Sequence, residues 1–166
     1  DKLAQIIKKA KEKGIPLRIG VNSGSISREL RIKYGGATAD ALVDSALQTI
    51  RFLENSTFRN FIISLKAANV LTTVEAYRKI ADQIPYPLHL GVTEAGRGLK
   101  GTVKSSLGIG SLLLDGIGDT VRVSLTGDPV EEVYVAKEIL QAAGVRDFGP
   151  EIISCPTCAR CKIDLE

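Results

Sequence analysis

Three cysteines, Cys155, Cys158 and Cys161, fall within seven consecutive positions, and the 154 residues before them contain none. Cysteines that merely fill a core do not cluster in this way. The spacing lets neighbouring thiolates face one metal ion or cluster. Cys-x-x-Cys-x-x-Cys is also the opening of a bacterial ferredoxin run, although no fourth cysteine follows. A zinc ribbon would need a second Cys-x-x-Cys, and a redox dithiol usually opens a helix early in a βαβ unit. Spacing alone therefore leaves iron–sulfur, zinc and dithiol exchange open, with inert thiols as the bland alternative.

A second set of reactive residues sits on strand-like segments. Arg18, Lys66, His89 and Arg122 each occupy the polar phase of a short alternating run. Buried cations are costly unless an anion meets them, so converging cations suit a phosphate or diphosphate. The competing structural explanation pairs each with a nearby carboxylate. Glu94, where the third run ends, is a candidate general acid or base. Lys66 has the placement of a Schiff-base lysine, and an aldolase of that type is the weakest of the enzymatic readings. Glu94 to Gly101 leads from a strand end into a helix, where backbone N–H groups can hold an anion; a flexible surface loop is the competing reading. Gly108-Ile109-Gly110 and Gly116-Ile117-Gly118 lack the strand-then-helix setting of a dinucleotide fingerprint and read as close-packing positions.

The elements that must carry these groups alternate. Strands are expected at 17–22, 61–66, 88–94 and 121–126, and helices at 39–53, 70–84 and 103–114. A further stripe of Leu3, Ile6, Ile7 and Ala10 precedes the first strand. Asp128 with Pro129 starts a helix after the fourth. Such alternation means a parallel sheet covered by helices. Each strand has one apolar and one polar face, whereas a doubly wound sheet is apolar on both, so a β/α barrel is favoured. A whole barrel takes about 250 residues, so this chain is expected to supply about half of one. Net charge is only +3 and aromatic residues make up 5%, which gives no basic stripe with interleaved rings for nucleic acid. No apolar run approaches membrane-spanning length, and three clustered cysteines do not suit a secreted disulfide framework.

Taken together, several segments resemble one family. They are Pro16 to Ser25, Ser64 to Ala67, Pro87 to Gly96, Gly116 to Leu125 with Asp128 to Glu132, and Ile153 to Cys158. In order and separation they are similar to the 4-hydroxy-3-methylbut-2-enyl diphosphate synthases, iron–sulfur oxidoreductases of the methylerythritol phosphate route to isoprenoids. The resemblance implies an α/β chain of parallel β/α repeats forming the second half of a TIM-type barrel over residues 1–148. Residues 149–166 would then begin an iron–sulfur domain.

By the same resemblance, Arg18, Asn22, Lys66, Arg122 and Ser124 grip a cyclic diphosphate, His89 lines that site, and Glu94 is the catalytic proton donor. Cys155 and Cys158 correspond to the first two ligands of a 4Fe-4S cluster whose further ligands fall beyond residue 166. Cys161 stands where the family usually has another residue and stays unassigned. Arg97 replaces a glycine common in the family. Ferredoxin or flavodoxin is the implied electron donor, a homodimer the implied assembly of the intact enzyme, and bacterial cytoplasm or a plastid the implied location. The resemblance also implies that 166 residues alone are inactive. The alternative is a phosphate-binding half-barrel that dimerises and binds zinc through its terminal cysteines.

Overall fold

The computed structural model describes residues 2–150. An amphipathic helix, α1 (Lys2–Lys13), turns Ile7 and Ala10 inward and leads to strand β1 (Leu17–Asn22). After a 3₁₀ turn (Ser23–Ser25) come two helices, α2 (Arg28–Tyr34) and α3 (Ala39–Asn55). Then follow β2 (Phe61–Lys66), α4 (Val70–Ala81), β3 (His89–Leu90), α5 (Gly98–Leu114), β4 (Thr120–Val121) and α6 (Pro129–Ala142).

Local chemistry sets these boundaries. The Thr38 hydroxyl accepts from Ala41 N at 3.2 Å and opens α3, while Asn69 Oδ1 accepts from Thr72 N at 2.9 Å and opens α4. Asp128 caps α6 through Val130 N, with Pro129 at the first helical position, as the sequence indicates. The helix expected at 70–84 stops at Ala81, because Pro85 disfavours helical geometry in the residue before it. Helix α5 starts five residues earlier than expected, at Gly98 rather than Val103. The sequence reading did not include α2. Its signals are the Ser27 cap, which accepts from Leu30 N, and Gly35, whose φ of +69° closes the helix.

β1 and β2 run parallel in the register Leu17↔Phe61 through Asn22↔Lys66. β3 and β4 are also parallel, with His89↔Thr120 and Leu90↔Val121. An Ile63↔Leu88 bridge joins the two ladders. The strands therefore lie side by side in chain order, the order of a barrel wall, with no reversal of the kind that marks a doubly wound sheet. The third and fourth strands are much shorter than the expected 88–94 and 121–126. Past their first residues the chains remain tied by single contacts: Arg122 N to Leu90 O at 2.9 Å, Thr93 N to Ala67 O at 3.3 Å, and Thr126 N to Gly96 O at 3.0 Å. These are too sparse to form a ladder.

One core lies between the strands and their covering helices. Ile63, Leu65 and Leu90 face Leu42, Ala46, Ile50 and Leu53 of α3, Val74 and Ile80 of α4, and Ile109 and Leu112 of α5, all buried. Gly108 allows α5 to approach β3 closely: a Cβ there would fall 2.5 Å from Val92 Cγ2. Close packing is the role expected for these glycines, and Gly118 shows it too, a Cβ there falling 2.4 Å from Leu90 Cδ1, whereas Gly110 and Gly116 meet nothing within 4 Å.

Candidate anion-binding site

The face of the strands away from the helices carries the polar residues. Register places Asn22 beside Lys66, and Arg122 N bonds to the β3 backbone at Leu90. Gly91 lies between Lys66 and Arg122. A Cβ on it would stand 2.8 Å from the Arg122 carbonyl oxygen and 3.6 Å from Lys66 Cε. Asn22 and Lys66 at the ends of β1 and β2, with Gly91 and Arg122 just past β3 and β4, thus form one row. One step toward the strand starts lie Gly20, Ser64, His89 and Thr120.

His89 organises this second row. Its Nε2 is 3.0 Å from an Arg18 guanidinium nitrogen, and its Nδ1 is 2.8 Å from Thr120 Oγ1. Burial, with Lys66, Arg18 and Arg122 nearby, lowers its pKa to about 4, so the ring is neutral near pH 7. A guanidinium can only donate, so Nε2 accepts and Nδ1–H donates to Thr120. Both ring nitrogens are thereby engaged. In this structure the ring is placed to aim Arg18.

Tyr77 and Thr73, neither marked by sequence reasoning, hold the surrounding backbone. The buried Tyr77 hydroxyl donates to His89 O and accepts from Leu65 N at 3.0 Å, linking β2 to β3. Thr73 Oγ1 accepts from Ala67 N at 3.2 Å and fixes the residue after Lys66. The signal that could have found Tyr77 is a hydroxyl on the apolar stripe of α4, which needs a partner once buried. Thr120 was also detectable, since it shares strand phase with Arg122 and Ser124.

Lys66 is 9% exposed, and burial lowers its pKa to about 8, with Arg122 and Arg18 repelling its charge. Among the described residues no carboxylate forms an ion pair with Arg18, Lys66 or Arg122; the ion pairs all lie elsewhere. The structural explanation weighed from sequence, a carboxylate for each cation, is therefore not what holds them. Asn22 and Arg122 are exposed and Ser124 half-buried, so one side of the row is open. Leu125 N donates to Glu132 Oε1 at 2.8 Å, fixing the backbone after Ser124.

Glu94 is exposed and has φ +53°, left-handed geometry that costs a non-glycine residue about 1–2 kcal/mol. Such a strained position beside a strand end is a common feature of functional sites. Helix α5 opens four residues later, and Arg97 provides no side-chain cap. Cys155, Cys158 and Cys161 lie outside the described residues. Among the described residues no set of three or more His, Cys, Asp or Glu side chains is arranged to hold a metal ion. No helix there is long and apolar enough to cross a membrane.

Sequentially ordered parallel strands, with helices over one face and a cluster of cations on the other, define a β/α-barrel-type protein. Residues 1–137 match the GcpE TIM-barrel domain, and the chain belongs to that family. It is 60% identical over 165 residues to a protein of Fusobacterium nucleatum named 4-hydroxy-3-methylbut-2-en-1-yl diphosphate synthase (flavodoxin). Proteins of the same name from Clostridium perfringens and Caldanaerobacter subterraneus are 58% and 54% identical over the same length. Each alignment covers 99% of this chain but only 46–47% of the relative. The chain spans about half the length of the curated relatives it matches.

Proposed function

We propose that this chain forms part of an oxidoreductase that opens 2-C-methyl-D-erythritol 2,4-cyclodiphosphate to 4-hydroxy-3-methylbut-2-enyl diphosphate. Two electrons and two protons enter, the ring C–O bond to phosphate breaks, and a hydroxyl leaves as water. The observation that carries the reading is the cation row. Arg18 on β1, Lys66 on β2 and Arg122 just past β4 come together with no carboxylate paired to any of them among the described residues, and a diphosphate supplies the missing charge. The names of the relatives support the substrate class and flavodoxin as donor.

In this reading Arg18, Lys66 and Arg122 neutralise the diphosphate, and Asn22 and Ser124 hydrogen-bond to its oxygens and the carbon backbone. His89 lines the site and holds Arg18 in position. Glu94 delivers a proton to the departing hydroxyl. Residues 1–148 are the second half of the barrel, and residues 149–166 begin the iron–sulfur domain. Cys155 and Cys158 are the first ligands of a 4Fe-4S cluster, which supplies the electrons when bound. The intact enzyme is a homodimer working in bacterial cytoplasm, and the isolated chain does not turn over.

The test uses the intact protein that carries this chain, with reduced flavodoxin and the cyclic diphosphate. R122M is expected to lower kcat/KM at least 100-fold, about the loss of one charged contact to the substrate in the transition state. Activity within threefold of the parent would show that Arg122 does not hold the substrate. C155S and C158S are expected to lose iron while C161S keeps it.

A further inference from the structure

Lys66 has chemistry that binding a diphosphate does not use. It is a buried amine among cations, with Arg18 on β1 and Arg122 beyond β4 both repelling its positive charge. From β3 the group facing it is His89, and no carboxylate faces it among the described residues. Desolvation together with neighbouring cations is the setting that turns a lysine into a nucleophile at ordinary pH. With a pKa of about 8, an appreciable fraction of the amine is neutral near pH 7. Gly91 stands between Lys66 and Arg122: a Cβ there would lie 3.6 Å from Lys66 Cε and 2.8 Å from the Arg122 carbonyl oxygen, so the absent side chain keeps the lysine stem and the Arg122 backbone close together.

We infer that Lys66 is a reversible carbamylation site: when no phosphate occupies the row, its Nζ adds carbon dioxide, and the resulting carbamate is held by the Arg18 and Arg122 guanidinium groups. The Nζ lone pair forms an N–C bond to the carbon of CO2, one C=O π pair moves onto oxygen, and the displaced Nζ proton goes to solvent base. Nothing is oxidised or reduced. Electrostatics choose this adduct over a Schiff base with a carbonyl compound. An iminium retains the positive charge that Arg18 and Arg122 oppose, whereas a carbamate puts a negative charge where these cations lack one. The amine and the phosphate site then exclude each other, so CO2 and diphosphate compete for the same row. The inference rests on the anion-site reading, though not on which diphosphate binds there.

The intact protein is equilibrated with ¹³C-bicarbonate at about pH 8, and carbamates are trapped by O-ethylation with triethyloxonium. Peptide mass spectrometry then locates the label, with and without saturating inorganic diphosphate, while calorimetry on the same sample measures diphosphate binding. The expected result is label on the Lys66 peptide, reduced at least tenfold by diphosphate and absent from K66R. Diphosphate binding with no label at Lys66 overturns the carbamate and leaves the anion site standing. Label at Lys66 that persists while calorimetry shows diphosphate bound also overturns it, because the two would then occupy different places. Label with no diphosphate binding keeps the carbamate and sinks the anion-site reading.

Discussion

Replacing Lys66 with methionine should make the unliganded protein more stable while abolishing its affinity for diphosphate. Burial, with Arg122 and Arg18 adding repulsion, lowers the lysine from 10.5 to about 8. At 1.36 kcal/mol for each tenfold change in proton affinity, this is ~3 kcal/mol against the charged form at pH 7. Water at the open side of the row screens the effect, and about half that value is the lower bound. Methionine has similar length, lacks the charge and fills the same space, so K66M should gain roughly 1.5–3 kcal/mol, or roughly 3–12 °C in Tm. The gain should depend on pH. Between about pH 8 and 10.5 the unfolded chain binds more protons at Lys66 than the folded chain, so parent stability rises with pH and the two proteins converge. Thermal melts at pH 7 and 10, with and without inorganic diphosphate, measure all of this. A K66M protein less stable than its parent at pH 7 would refute the reasoning, because Lys66 would then have an anionic partner in the folded state.

Three further outcomes follow from the same geometry. G91A places a methyl group 2.8 Å from the Arg122 carbonyl oxygen, so it should cost about 1–3 kcal/mol in urea unfolding and weaken diphosphate binding together. E94G relieves the left-handed strain at φ +53°, so stability should hold or rise by up to about 1 kcal/mol while ring opening falls at least 100-fold. Loss of both in parallel, read from denaturation and turnover, would mean that Glu94 is only structural. His89 has its pKa lowered from 6.5 to about 4, so between these values the unfolded state binds the extra proton and stability falls as pH drops. The loss should reach up to about 3 kcal/mol near pH 4, and H89Q should flatten that part of the stability profile.

Much of the architecture could be read from single residues. Alternation at 17–22 and 61–66 fixed β1 and β2 to the residue, because both strands are long enough for a period of two to be unambiguous. Asp128-Pro129 marked the start of α6 for a purely local reason, a side chain bonding its own helix backbone. The later strands were read too long. The alternation through Val121 to Thr126 is real, but a ladder also needs a partner of equal length, and β3 offers two residues. Helix α2 was missed because Arg28 to Tyr34 is short and carries a single buried residue, too little for a stripe. The polar strand positions were legible as a set, yet the part played by each was not. Arg18, Lys66, His89 and Arg122 look alike in sequence as donors, and only their mutual distances separate the aiming histidine from the cations.

The sequence alone determined that parallel strands alternate with helices, that basic residues share one strand phase, and that the cysteines are confined to residues 155–161. These are local or periodic properties, written into neighbouring residues. Tertiary structure decided that the strands lie in chain order, that Gly91 brings Lys66 and Arg122 into one row, and that no carboxylate among the described residues pairs with the cations. It also decided the state of His89, whose ring is held between Arg18 and Thr120. Pairing, burial and charge depend on residues 30 to 100 positions apart in the chain, and only the folded packing brings them within reach of one another.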